Sequence, residues 1–436
     1  MYKASFSFIG GGSFELTSFG IQVEEEIEIA FQQRSGRMSE HVASCGKLMT
    51  HASSLTARNA FRFVLILGIV NFFADMTYEG ARSVTGPFLG SLGASAIVVG
   101  FVAGFGELIG YGLRSFTGII SDRTGKYWVV AIFGYVINML AVPALALADN
   151  WPLAAGLMVA ERTGRAIRKP STEAMLSFAG KQMGQGWVFG LNEALDQAGA
   201  TLGPLLVSLV LFLHGGYRQG FALLLIPALL TLLVLLAARY FFPRPANIEA
   251  SHAMHVQGFS KAYWLYMIAG SCVAAGFADF SLIAFHFHRT GSVSNALTPV
   301  LYSIAMAMGA LGALIFGRLY DRFGIPVVLA AFFMSSFFAP MVFLGGSAFA
   351  WAGVILWGIG MGAQESLLKP IVAGLTSPNK RGTAFGVFDA GFGIAWFLGS
   401  ALMGFLYTKS IVALTIFSVV LQLISLPIFA VAKKRG

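Results

Sequence analysis

The chain has 436 residues, of which 56% are hydrophobic and only 11% charged, with a formal net charge of +9. So few charges cannot cover a soluble globule, and so many apolar residues exceed what one core can bury, so the expected solvent is lipid. Two cysteines, Cys45 and Cys272, cannot make a disulfide framework, and the basic residues are dispersed through loops instead of forming a nucleic-acid patch.

The first 57 residues are Ser/Gly-rich and acidic around Glu24, Glu25 and Glu26. Lys3 followed by Ile9-Gly10-Gly11-Gly12 is a poor secretory signal. The segment reads as a disordered cytoplasmic tail or an over-extended start, with Met38 and Met49 closer to the first span. A bilayer-spanning helix needs about 20 apolar residues. Twelve such segments follow, near 61–84, 95–116, 127–147, 152–168, 187–213, 218–241, 262–287, 298–318, 325–344, 348–369, 381–407 and 411–432. The polar stretch 243–261 separates two sets of six, giving an N-terminal bundle over 58–242 and a C-terminal bundle over 262–436. With alternate loops assigned to opposite sides, nearly all Lys and Arg beyond the tail fall on one side, and Arg82, Arg218, Arg289 and Lys409 fall on the other. The rich side is expected to face the cytoplasm, with both termini, in the cell's inner (plasma) membrane.

The two sets are copies of one another. Phe73-Ala74-Asp75 returns as Phe277-Ala278-Asp279, and Gly118-x-x-x-Asp122-Arg123-x-Gly125 as Gly317-x-x-x-Asp321-Arg322-x-Gly324. Lys169-Pro170 returns as Lys369-Pro370, and Phe189-Gly190 as Phe385-Gly386. Parallel repeats with polar landmarks inside apolar spans imply a secondary transporter whose site lies between the halves.

The segment Gly118-Ile-Ile-Ser-Asp122-Arg123-Thr-Gly125-Lys126 resembles the signature loop of the major facilitator superfamily, and Gly317 to Gly324 resembles its second copy. The resemblance implies an all-α integral membrane protein with twelve transmembrane helices in two pseudo-symmetric six-helix bundles. It also gives Asp122, Arg123, Lys126, Asp321 and Arg322 a gating role, with Glu161 and Arg162 as partners of the loop and the Glu161 carboxylate meeting Lys126. Gly199-x-x-x-Gly203-Pro204 in the fifth span is similar to the family's antiporter motif, although Val207-Ser208 stand where that motif continues with glycines. Physically, the two glycines permit close helix packing and the proline bends the span.

Charges inside a membrane span are expensive and count as functional candidates. Asp75, Glu79 and Arg82 share one face of the first span. Asp75 and its repeat partner Asp279 are the leading candidates for binding substrate or protons, since a buried carboxylate can load and release a proton. Glu79 and Arg82 also read as a structural pair. Glu107 has no sequence-local partner and reads as a proton carrier. Asn192, Asp196, Gly199 and Gly203 lie on one face of the fifth span. Glu193 and Asp389 are repeat equivalents expected at an inter-bundle gate, with Arg114 a partner for Asp389, and Glu365 and Lys369 pair four residues apart. His286 and His288 point to opposite sides of a helix and are poor metal ligands, which leaves an interfacial role. The tryptophans are expected mostly at lipid and interface, with Trp396 a candidate for lining a pocket.

No nucleotide loop, cofactor fingerprint or zinc-protease helix is present, so neither an enzyme, a cofactor nor a metal is expected. The expected function is movement of a small solute by alternating access, as proton-coupled export. Uptake symport or facilitation of an organic or inorganic ion is the alternative, a non-transporting receptor or scaffold the remote one. The expected partners are the solute, protons and lipid, with the chain a monomer.

Overall fold

The computed structural model describes residues 59–183, 185–243, 259–375 and 381–435. Twelve long helices follow one another: α1 (Asn59–Ser91), α2 (Ala96–Thr124), α3 (Tyr127–Ala144), α4 (Trp151–Met183), α5 (Gln185–Phe212), α6 (Tyr217–Phe241), α7 (Lys261–Thr290), α8 (Leu297–Phe323), α9 (Ile325–Leu344), α10 (Gly346–Gly374), α11 (Arg381–Lys409) and α12 (Ile411–Arg435). Continuous apolar runs of this length form helices in lipid, because each helix satisfies its own backbone hydrogen bonds within the segment. Among the described residues, eleven of these helices are long and apolar enough to span a membrane. The twelfth position belongs to α4, whose interior carries Glu161, Arg162, Arg165 and Arg168. This is an all-α multi-pass membrane fold of two six-helix halves, α1–α6 and α7–α12.

Several boundaries differ from the sequence expectation. Helix α1 runs two turns beyond residue 84, so Arg82, expected near the outer end of the first span, lies buried within the bundle. Helix α4 continues past residue 168, so its charged segment is interior as well. The signature segment is mostly helix: Gly118 to Thr124 complete α2, and Gly125, at φ 64°, turns the chain in the left-handed region that glycine adopts without strain. Gly324 turns the chain after α8 at φ 69° and ψ −142°, another positive-φ conformation open to glycine.

The halves meet along small residues. A Cβ on Gly86 of α1 would collide with the Ser281 carbonyl of α7, and one on Gly100 of α2 would lie 2.5 Å from the Ser400 carbonyl of α11. Between α5 and α8, Ser303 Oγ donates to the Thr201 carbonyl at 2.7 Å and Ser208 Oγ to that of Ala296 at 2.7 Å. These contacts run from the middle of the bundle to the end opposite the chain termini, so that end is closed.

Candidate substrate and coupling site

A tight crossing of α3 and α4 builds one wall of the site. A Cβ on Gly134 would lie 2.6 Å from the Arg168 amide, and one on Gly164 would strike the Asn138 amide, so the two backbones touch. That contact sets Asn138 of α3 against Glu161 of α4. Asn138 Nδ2 donates to the Glu161 carboxylate at 2.9 Å and to its carbonyl at 3.0 Å. Glu161 also lies 3.4 Å from Arg162, whose guanidinium reaches Glu107 of α2 at 3.3 Å. The expected pairing of Glu161 with Lys126 is therefore corrected: Lys126 is exposed at the start of α3, while Glu161 is buried near the middle of α4.

Helix α7 is broken where its repeat partner α1 is continuous. The helix stops at Gly276, Phe277 to Asp279 are extended, and a second segment starts at Phe280. Backbone groups freed inside a membrane need partners from neighbouring helices. Trp357 Nε1 of α10 donates to the Ala278 carbonyl at 2.8 Å, and Ser418 Oγ of α12 donates to that of Gly276 at 2.6 Å. Asp279 caps the second segment by accepting from the Ser281 amide at 2.9 Å.

The other carboxylate oxygen of Asp279 reaches across to α1, where Arg82 Nη2 donates to it at 2.9 Å. The same nitrogen donates to Glu107 at 3.1 Å, while Glu79 is more distant, at 3.9 Å from Nη1. Glu79 instead accepts from the Tyr302 hydroxyl of α8. Two connections thus tie the halves through buried polar groups, Arg82 to Asp279 and Glu79 to Tyr302. The expected Glu79–Arg82 pair is replaced by a wider network, and Glu107, which has no sequence-local partner, bridges two arginines distant in sequence. Four carboxylates, Glu79, Glu107, Glu161 and Asp279, are met by two guanidiniums, Arg82 and Arg162.

Asp75 is not in that network. It faces Arg168 of α4 at 3.6 Å, and Arg168 donates to the Tyr135 hydroxyl at 3.1 Å with its guanidinium over that ring at 4.5 Å. Tyr135 donates to Asn71, Asn71 to Asn192 of α5 at 2.8 Å, and Asn192 to Asp196 at 3.3 Å. Arg165 lies over the Tyr78 ring at 4.1 Å. The face of α5 expected to carry Asn192, Asp196, Gly199 and Gly203 packs on α1: a Cβ on Gly199 or Gly203 would strike the carbonyl of Phe72 or Met76. Pro204 follows within the same helix.

The remaining candidates are scattered. Arg123 and Arg322 are exposed at helix ends, and Arg322 lies 5.3 Å over Phe323. The side chains of Asp122, Asp321 and Lys369 lie outside the described residues, as do the tail before residue 59 and most of the 243–261 linker. Glu193 is exposed and accepts from Gln197 at 2.9 Å. Arg114 lies 5.1 Å over Tyr111, whose ring packs edge-on to Phe392, one turn from Asp389 on α11. Trp396 is buried beside Phe277 and Phe392, and Trp357 is buried too, so neither lies at the lipid interface. His286, expected at an interface, is buried 3.0 Å from the Tyr407 hydroxyl. Tyr302, Tyr135, Asn138, Thr85 and Ser281 are not conspicuous in the sequence, because an uncharged polar residue costs less in an apolar helix than a charge does; that polarity is the signal that marks them.

A cavity of about 40 Å³ lies beside the network. Arg82, Arg162, Glu161, Tyr78, Thr85 and Ser281 form its polar wall, and side chains of α1 to α4, including Val99, Val142 and Met158, close the rest.

A twelve-helix membrane bundle with two halves joined by a buried charged network defines a transporter rather than an enzyme. The family model for the Major Facilitator Superfamily matches residues 67–400, and the chain belongs to that family. An uncharacterized protein of Mycobacterium tuberculosis is 38% identical over 378 residues, which is 85% of this chain and 92% of that protein. An uncharacterized MFS-type transporter of Methanocaldococcus jannaschii is 25% identical over 383 residues, covering 84% of this chain and 94% of its own. Among solved structures, a peptide transporter, POT, in complex with sulfate superposes with a TM-score of 0.69 at 14% identity, over 86% of this chain and 94% of that one. At that identity the likeness concerns the fold alone.

Proposed function

We propose that this transporter is proton-coupled and that Arg82 is its switch. The observation that carries the reading is that one buried nitrogen of Arg82 holds Glu107 in its own half and Asp279 in the other. Protonating Asp279 removes the charge that holds the halves together here, so proton binding and the opening of the closed end are linked. The surplus of carboxylates over guanidiniums in the network supplies the groups to protonate. The basic, terminus-bearing end faces the cytoplasm in this reading, the membrane is the cell's inner membrane, and the monomer is the working unit.

Export in exchange for protons is supported by Gly199-x-x-x-Gly203-Pro204, which seats α5 against α1 beside the site. A second reading, solute and proton moving together, is favoured by the two arginines in the cavity wall. The test uses inside-out vesicles with an imposed pH gradient followed by a quenching dye, to which organic cations, anions and sugars are added in turn. A compound that dissipates the gradient with wild type but not with Asp279→Asn supports proton coupling. Solute movement in the vesicles that leaves the gradient untouched sinks it.

A further inference from the structure

We propose that the cavity beside Arg82 and Arg162 binds the anionic head of the transported solute, a compact organic anion with one carboxylate-type group and an apolar body, and that the anion binds together with a proton. This rests on the proton-coupled reading above. Arg82 is 6% exposed, and its Nε has no hydrogen-bond partner. A buried donor left unpaired is costly, and the guanidinium charges of Arg82 and Arg162, both lining the cavity, favour an acceptor there. Thr85 of α1 and Ser281 of α7 line the same space with their hydroxyls 3.0 Å apart. Thr85 donates to the Arg82 carbonyl at 3.1 Å, so the Ser281 O–H, turned from Thr85 toward the cavity, is the donor this pair can offer. Glu161, the carboxylate among the lining residues, is already held by Asn138 and Arg162, so a cation would find no unoccupied acid in the wall. The volume of about 40 Å³ suits a carboxylate head, and the apolar wall suits the body behind it as the halves part.

Charge balance ties the anion to protons. The network holds four carboxylates against Arg82 and Arg162, with Arg165 close enough to act on Glu79, Glu107 and Glu161. That still leaves one carboxylate in excess, and another negative charge in a low-dielectric interior is strongly opposed. Protonation of one of the four carboxylates, of which Glu161 lies in the cavity wall against Arg162, removes one negative charge and frees guanidinium N–H groups for the incoming anion. Proton and anion therefore raise each other's affinity by the same factor. They travel in the same direction, which selects the second of the two readings above.

The experiment measures binding of benzoate and of benzylamine, which share a ring and differ in charge, to the purified full-length protein at mildly acid and mildly alkaline pH, with proton uptake recorded in weakly buffered solution. Benzoate is expected to bind more tightly on the acid side, by up to about tenfold per pH unit for one linked proton, with uptake of a proton. Arg162→Gln should abolish this binding while Arg162→Lys keeps part of it. Ser281→Ala, which leaves every charge in place and so guards against misfolding of the arginine variants, should weaken binding about 2- to 10-fold. Binding of benzylamine and not benzoate, or of neither, overturns the anion site. Benzoate binding that is equal at both pH values and takes up no proton leaves the anion site standing but overturns its link to protons, and with it the proton-coupled reading.

Discussion

Asp279 does two separable things: one oxygen caps a helix segment and the other holds Arg82. Asparagine is as good a helix cap as aspartate but cannot balance a guanidinium. Asp279→Asn should therefore still fold, by size exclusion and circular dichroism, since Arg82 keeps Glu107 as its counter-ion, yet lose proton-coupled transport by at least about tenfold, because the charge-assisted bond between the halves is lost. Asp75→Asn should have a different phenotype, because Asp75 faces Arg168, and the charged groups acting on it among the described residues all belong to the first half. Transport with the same inter-half closure but altered pH dependence is expected there, and complete loss of closure would show that the two acids act as one unit. The sequence made these residues conspicuous, because an acid inside an apolar span has to be explained. It could not separate them: the repeat presents Asp75 and Asp279 as equivalents, and only the break in α7 makes one a cap and cross-half partner and leaves the other on a continuous helix.

At the scale of elements, α4 and α7 set the geometry. The crossing of α3 and α4 depends on two glycines, and a side chain on Gly164 would meet the backbone of Asn138. Gly164→Val should lower the melting temperature in detergent and separate Asn138 from Glu161, whereas Gly156→Ala on the same helix, where a Cβ meets nothing within 4 Å, should be silent. Trp357→Phe keeps most of the aromatic packing but leaves the Ala278 carbonyl without its donor, at a cost of about 1–3 kcal/mol that a thermal melt would register. An unchanged melt would mean that the α7 break does not depend on this bond. The twelve helices and their two-fold repeat were legible because hydrophobic length and spaced landmarks are local properties. The crossing of α3 and α4, the break in α7 and the burial of Glu161 were not, because each depends on a neighbour distant in sequence: Gly134 against Gly164, Trp357 against Ala278, and Asn138 against Glu161.

For the whole molecule, the proposed function makes the closed end opposite the termini one state of a cycle in which the halves part. With Cys45 and Cys272 replaced by serine, the pair Thr85→Cys and Ser281→Cys should form a disulfide under mild oxidation, since the native hydroxyls are 3.0 Å apart. Transport should stop on oxidation and recover on reduction; continued transport by the cross-linked protein would exclude separation of the halves at this point. The most direct test of Arg82 as the switch needs no knowledge of the solute. Spin labels at Ser91 and Ser294, exposed positions in the first and second halves at the closed end, report the separation across it in lipid nanodiscs. A longer distance is expected on acidification of the wild type, and a long distance already at alkaline pH in Asp279→Asn. One short distance, unchanged by pH and by that substitution, would contradict the proposal that protonation of the Arg82 network opens the molecule.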